Sequence, residues 1–344
     1  MVSGSSSLPG LAVQGGDVRM AVDAGVMAER YGFRSVWTCE FYDRSAIVTL
    51  AALASTTSRI ELGSSIAWAF GRTPLTAATD FRSLDELSGG RVSMGLGTGN
   101  PQVIADWHGL DERRPVGRLV EAVHLVRKLW NLHEAPVAHD GMFYRCHMTA
   151  DSSLPAPVNH TIPILLAGGR VPLLRAAGSV SDGLIGLPLA TRKYVRDVVH
   201  PALADGARQA GRGERIPING MIICFIADDS AKARNAAAMQ VAVYATRRSA
   251  DSLLEYHGFG AEAEIIRSAA RRGDPAGMVA AVSGRMLDAL AVFGTPEEAR
   301  DRYIAKFDGL YEQPLFYSSA KGLPAGFVRD NIAAICETFA PVGV

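Results

Sequence analysis

Leu84-Asp85-Glu86-Leu87-Ser88-Gly89-Gly90-Arg91-Val92-Ser93-Met94-Gly95-Leu96-Gly97-Thr98-Gly99 holds a helix end, a stop, a strand and a strand exit in one run. Leu84 and Leu87 close a helical pattern that opens at Pro74, which suits a first turn because its missing N–H is one the helix leaves unpaired anyway. Ser88-Gly89-Gly90 stops it, since glycine takes a left-handed cap without a Cβ clash. Val92–Gly97 predicts a short buried strand. Helix, tight turn and apolar strand in that order are the repeat of a parallel sheet.

The rhythm extends both ways. Upstream, Leu11–Gln14 predicts a first strand, Gly15-Gly16 a turn and Asp17 a helix cap. Val18, Val22 and Val26 recur at helical spacing and predict that helix's apolar face, with Tyr31-Gly32 at its end. Ser35–Thr38 is a second strand, Ile47, Leu50, Ala51 and Ala54 a helix face, and Ile60–Ile66 a third strand. Downstream of Val92–Gly97, Leu119, Val123, Val126 and Trp130 mark a long helix. Ile162–Ala167, a helix from Val171, Gly183–Ile185, a helix from Arg192, Ile218–Ala227, a helix capped by Thr295, Gln313–Tyr317 and a closing helix over Phe327–Phe339 complete the series. Eight βα units predict an α/β fold, a closed (β/α)8 TIM barrel forming a single domain over residues 1–344. A doubly wound sheet would use five or six strands on a shorter chain. Two segments exceed the barrel's needs, after strands four and seven. Residues 135–160 predict a β-insertion turning at Asp140-Gly141, with His133, His139, His147 and His160 in or beside it. Residues 229–290 predict a helical insertion near the barrel mouth.

The 344 residues are 48% hydrophobic and carry a formal net charge of zero, which excludes a nucleic-acid footprint and a surface polarised for anionic membranes. No apolar run is long enough for a membrane helix. Met1–Gly10 is Ser/Gly-rich without a basic or apolar stretch, so it reads as a frayed terminus rather than a secretory signal. Cys39, Cys146, Cys224 and Cys336 form no CxxC pair, and no histidine spacing suits a metal, so reduced thiols, a cytoplasmic location and no metal are expected.

Barrel enzymes place their chemistry at the carboxyl ends of the strands. That rule selects Cys39–Arg44, Ser64–Trp68, Gly97–Pro101, Gly168–Val171 and Gly186–Pro188. Gly95-Leu96-Gly97-Thr98-Gly99-Asn100 is not a dinucleotide fingerprint, since Pro101 follows and no helix starts on the third glycine. Either a flat ring approaches its bare backbone or it is a tight strand exit. Gly168-Gly169-Arg170-Val171 precedes a helix and could hold a phosphate on free N–H groups and Arg170, against an ordinary turn. Glu40, Tyr42, Asp43 and Arg44 are candidate substrate or ring contacts, against a solvated loop with an Asp43–Arg44 pair. Trp68 and Phe70 could wall an apolar pocket, against plain packing. His108, beside Trp107, is placed in a loop after strand four within reach of the mouth.

Tyr31-Gly32-Phe33-Arg34-Ser35-Val36-Trp37 leading to Glu40 and Arg44, Val48–Ala54, Thr57–Gly63 and the Leu84–Gly99 run together resemble the luciferase-like superfamily. Within it they are closest to the branch of methylenetetrahydromethanopterin reductase and other enzymes using the deazaflavin coenzyme F420. The resemblance implies a ring lying across the barrel mouth. It implies a non-proline cis peptide near Ser64-Ser65, with Ser64, Ser65 and Ile66 behind the ring. Gly97, Thr98, Gly99 and Asn100 would contact the cofactor, and Gly168, Gly169, Arg170 and Val171 its phosphate. Glu40 would polarise or protonate the substrate, with Tyr42 as a second candidate. Phe41, Trp68, Phe70 and His108 would line the substrate pocket. Branch members often carry His at the position of Phe41, and sugar-oxidising relatives a carboxylate at the position of Asn100, so the familiar acid–base pair is absent. Hydride transfer survives that loss because the cofactor supplies it. An FMN-dependent monooxygenase fed by a separate reductase is the alternative, and a non-catalytic flavin-binding relative a third. Homodimerisation is implied by the resemblance.

Overall fold

The computed structural model describes residues 8–341 except 112, 160, 214 and 320, and for 101–103 the backbone alone. His160 and the first seven residues of the expected frayed stretch thus lie outside the described residues. The strands are β1 (Gly10–Gln14), β2 (Ser35–Thr38), β3 (Glu61–Ser64), β4 (Ala67–Trp68), β5 (Val92–Gly97), β6 (Val137–Asp140), β7 (Arg145–Met148), β8 (Ile164–Ala167), β9 (Gly183–Gly186), β10 (Ile218–Ile226), β11 (Ala291–Gly294) and β12 (Gln313–Ser319). β1, β2, β3, β5, β8, β9, β10 and β12 pair in that order, all parallel, and β12 pairs back to β1. The ring is a closed (β/α)8 barrel, as the βα rhythm predicts.

The early helices are α1 (Val18–Arg30), α2 (Ala46–Thr56), α3 (Pro74–Ser88), α4 (Pro101–His108), α5 (Pro115–Trp130) and α6 (Val171–Val180). Asp17 accepts from the Met20 N–H at 2.8 Å to open α1, and Gly89 closes α3 at a φ of 65°. The apolar face of α1 differs from expectation. Val18, Val22 and Val26 are half-buried, and the deep face is Met20, Ala21, Ala24, Gly25 and Ala28. The reason is close packing: a Cβ on Gly25 would lie 2.3 Å from the Leu53 side chain of α2, so that face must be small.

After β9 come α7 (Arg192–Tyr194), a π-turn over Val195–Val199 and α8 (His200–Gln209). Between β10 and β11 lie α9 (Ser230–Ala245), α10 (Asp251–Tyr256), α11 (Gly260–Arg271), α12 (Pro275–Ala280) and α13 (Gly284–Leu290). Then follow α14 (Pro296–Lys306), whose Thr295–Glu298 capping box is complete, and α15 (Ala325–Phe339). β11 has no counterpart in the sequence reading. Its four residues follow α13 directly, with no turn between, and they extend the sheet beside the upper half of β10, from Ile223↔Ala291 to Ile226↔Gly294. β6 and β7 form the antiparallel hairpin signalled by Asp140-Gly141. Its tip is pinned to α5, where Glu121 accepts N–H bonds from Phe143 at 3.1 Å and Tyr144 at 2.8 Å.

At the third strand the close fit is explicit. Trp37 lies across Gly63, its register partner, at 2.2 Å from where a Cβ would sit. Ser64 Oγ donates to the Gly95 carbonyl at 2.8 Å and accepts from the Gly95 N–H at 2.9 Å, stitching β3 to β5.

Candidate active site

The mouth is built from the carboxyl ends of β1, β2, β3, β5, β8 and β12. After β2 the chain makes a tight reversal: Phe41 N–H donates to the Arg44 carbonyl at 2.9 Å and Arg44 N–H donates back at 3.2 Å. Tyr42 and Asp43 occupy the tip, and Tyr42 is 74% exposed. Ser45 then caps α2. Cys39, just before the turn, is buried, and burial pushes its thiol up to about 11, so it is not a thiolate nucleophile near neutral pH.

Glu40 is clamped. Arg72 Nη1 donates to Oε2 and Nη2 to Oε1, each at 2.7 Å, and the Trp68 N–H donates to Oε2 at 2.9 Å. Arg72 Nε reaches Asp80 of α3 at 3.0 Å. Its bonds to Glu40, working against burial, hold the Arg72 guanidinium above its ordinary range. A fork of this geometry is a strong charge-assisted pair. Sequence reading missed Arg72, although its position just past the Trp68–Phe70 run meets the strand-end rule.

β3 ends in a cis peptide at Ser65-Ile66, one bond beyond the expected Ser64-Ser65. Ser65 N–H donates to the Thr38 carbonyl at 2.7 Å and Glu40 N–H to the Ile66 carbonyl at 2.9 Å, tying this bulge to β2. Ser64 is fully buried, with its hydroxyl committed to Gly95. The strand-five glycines serve packing first. A Cβ on Gly97 would lie 2.4 Å from the Ile66 side chain, and Gly99 takes a φ of +68°. Contrary to expectation, a helix does follow this loop almost at once. α4 is anchored by Ile104, 1% exposed, whose N–H donates to the Asn100 carbonyl at 3.1 Å. His108 therefore ends a helix rather than sitting in a loop, and it is exposed.

The candidate pocket aromatics do converge. Phe41 lies 4.6 Å from Tyr42, 6.2 Å from Trp68 and 5.8 Å from Trp107 between ring centroids. His108 stands edge-on to Trp68 at 5.0 Å. Phe70 is buried beneath, under the Arg118 guanidinium at 4.7 Å. Trp107, named from the sequence only as a neighbour of His108, joins Phe41 to Trp68.

On the far side of the ring, Gly168 and Gly169 precede α6. Cβ atoms there would meet Leu173 at 2.1 Å and Leu187 at 2.4 Å, so both glycines permit close packing. The N-cap Arg170 is exposed and makes no side-chain cap bond, leaving the first-turn N–H groups without that partner. Tyr194 supports the turn through its hydroxyl, which donates to the Gly169 carbonyl at 2.8 Å.

A cavity of about 200 Å³ opens beside the β1, β2 and β12 ends. Arg44, Phe41, Gln14, Gln240, Arg247 and Lys321 are among its lining residues. Gln14, Gln240, Arg247 and Lys321 carry no motif; the fold alone brings them to Arg44. At the end of β2, Thr38 Oγ1 is buried without a hydrogen-bond partner.

A closed parallel barrel whose strand-end loops converge on an aromatic-walled mouth, with a bare-glycine helix entry opposite, defines a (β/α)8-barrel protein with a strand-end site. The chain belongs to the luciferase-like monooxygenase family, whose sequence model matches residues 3–313. It is 32% identical over 283 residues to the 5,10-methylenetetrahydromethanopterin reductase of Methanolobus tindarius, covering 80% of this chain and 83% of that one. Its fold is similar to the coenzyme F420 dependent tetrahydromethanopterin reductase of Methanopyrus kandleri, with a TM-score of 0.81 and 24% identity over 97% of this chain and 98% of that chain. It is also similar to the oxygenating constituent of 3,6-diketocamphane monooxygenase of Pseudomonas putida in complex with FMN. There the TM-score is 0.70, with 18% identity over 98% and 99% of the two chains.

Proposed function

We propose that this protein is a coenzyme F420-dependent oxidoreductase that transfers hydride to or from a small organic substrate. The observation that carries the reading is the match to the Methanolobus reductase across four-fifths of the chain. When bound, the deazaflavin supplies hydride chemistry at its C5. The chain's own residues divide the remaining work. Ser64, Ser65 and Ile66 would back the ring, and Gly97, Thr98, Gly99 and Asn100 would flank it. Gly168, Gly169, Arg170 and Val171 would hold the phosphate at the α6 N-terminus, where no side chain caps the helix. Phe41, Trp68 and His108 would line the reacting face, with Phe70 packed beneath them.

Glu40 takes a different role from the one expected of it. Both its oxygens accept from Arg72, and one also from Trp68, so it acts as a positioning residue for the β3 exit rather than as a free acid. That leaves Tyr42, at the tip of the turn, as the candidate proton donor. Titration of the purified protein with F420 and with FMN tests the proposal: tight FMN binding with no F420 binding overturns it.

The aromatic wall of exposed Tyr42 and Trp107 with buried Trp68 also suits an FMN monooxygenase fed by a partner reductase. Oxygen uptake coupled to product formation separates that reading from ours. The four free cysteines support a reducing, cytoplasmic setting, and among the described residues no helix is long and apolar enough to cross a membrane.

A further inference from the structure

Among the described residues, Arg44 is the arginine with buried guanidinium nitrogens that no hydrogen bond satisfies. Its side chain is only 8% exposed, and Nε and Nη1 are both buried without a hydrogen-bond partner. The nearest carboxylate, Asp43, stands 3.9 Å from Nη2 and is itself 54% exposed, too distant for a hydrogen bond and well hydrated. A buried guanidinium in that state is costly unless something completes it. Arg44 lines the cavity of about 200 Å³, and two further cations line the same space. Arg247 and Lys321 come from just past α9 and just past β12, and among the described residues neither pairs with a carboxylate. Against these three cations the lining carries a single carboxylate, Asp43. Gln240, 2% exposed, adds an amide with Oε1 unpartnered, its Nε2 lying 3.4 Å from the Tyr317 hydroxyl.

We propose that this cavity is the seat of an oxyanion carried by the substrate, a carboxylate or a phosphate, with Arg44 as its anchor. Arg247 and Lys321 add charge at the rim, and the Gln240 amide meets a polar atom beside the anion. The ion is not the cofactor's phosphate. Arg44 follows β2 and the Gly168–Val171 turn follows β8, three strands further round the ring of eight, so the two lie on separate sides of the mouth. The tight Phe41–Arg44 turn places the anchor next to the aromatic wall, so an anionic tail at Arg44 would hold the rest of a substrate against Phe41 and Tyr42.

The assignment to substrate rests on the oxidoreductase reading; the anion site itself does not. The test titrates cofactor-free protein with benzoate and, separately, with inorganic phosphate, following Trp and Tyr fluorescence at constant ionic strength in chloride. Saturable binding of at least one probe is expected. Arg44→Gln should weaken it about tenfold or more, the loss of a charge-assisted bond, while Arg44→Lys retains most of it. Arg44→Met should melt at a higher temperature than the parent without anion, which a purely structural arginine would not do. F420 affinity should stay within about twofold in the Gln variant, since the two sites share no residue. Failure of both probes to bind, unchanged binding in Arg44→Gln, or loss of binding in Arg170→Gln instead would overturn the proposal. Arg44-dependent anion binding by a protein that ignores F420 would keep the anion site and sink the oxidoreductase reading. F420 binding with anions indifferent to Arg44 would do the reverse.

Discussion

Arg72 holds Glu40 with two nitrogens at 2.7 Å and Asp80 with a third at 3.0 Å, with side-chain exposures of 19% for Arg72 and 11% for Glu40. Removing one partner leaves the other charged and largely buried. Arg72→Ala should therefore cost about 2–4 kcal/mol in urea unfolding, the lower part of the range for a broken buried pair because both groups retain some water. The pair Glu40→Gln with Arg72→Met should cost less than the sum of the two single changes, which a double-mutant cycle reads directly. Tyr42 presents the opposite case. At 74% exposure its hydroxyl contributes nothing to folding, so Tyr42→Phe should leave the melt unchanged. If Tyr42 delivers the proton, kcat should fall by about 10²-fold in steady-state assays.

At the scale of elements, the β3–β5 seam is the most demanding. A Cβ on Gly95 would lie 1.8 Å from the Ser64 carbonyl oxygen, which is backbone and cannot rotate aside. Gly95→Ala should destabilise at or beyond the upper end of the usual 1–3 kcal/mol for overpacking, measured by thermal unfolding. Gly97→Ala meets only the tip of Ile66, at 2.4 Å, so its cost should be about 1 kcal/mol, with cofactor affinity moving more than stability. The α1–β3 contact carries a pH dependence. Burial would raise the Glu29 carboxyl, but the N–H groups of Ile60, Arg59 and Ser58 outweigh it and hold it below 4.5. A depressed carboxyl stabilises the fold above its unfolded value and loses that contribution as pH falls through the folded one. The urea midpoint should therefore drop less steeply below about pH 4.5 in Glu29→Gln than in the parent.

For the whole molecule, the early helices leave large apolar side chains in solvent. Val48 of α2 is 59% exposed, and Leu75 and Leu87 of α3 are 44% and 51% exposed. We propose a homodimer that covers this region. Light scattering should give twice the 36.6 kDa chain mass, and Val48→Asp with Leu75→Asp should halve it; a monomer at all concentrations refutes the dimer.

Element order was legible because its signals are local: Asp17 and Thr295 cap by reaching three residues along the chain, and Gly89 closes α3 from its own backbone freedom. The mouth followed from strand ends, so most candidate residues lie where the strand-end rule puts them. What only the tertiary structure decided depends on distant chain segments. The Leu53 side chain selected the alanine face of α1 over the valine face, and a neighbouring strand made Ala291–Gly294 a strand. Glu40 acquired its Arg72 clamp across the β2–β3 gap. Arg44 met Gln240, Arg247 and Lys321, some two hundred or more residues away. Periodicity and caps specify what a segment is; which unsatisfied charge faces which cavity is fixed only when the barrel closes and removes the water.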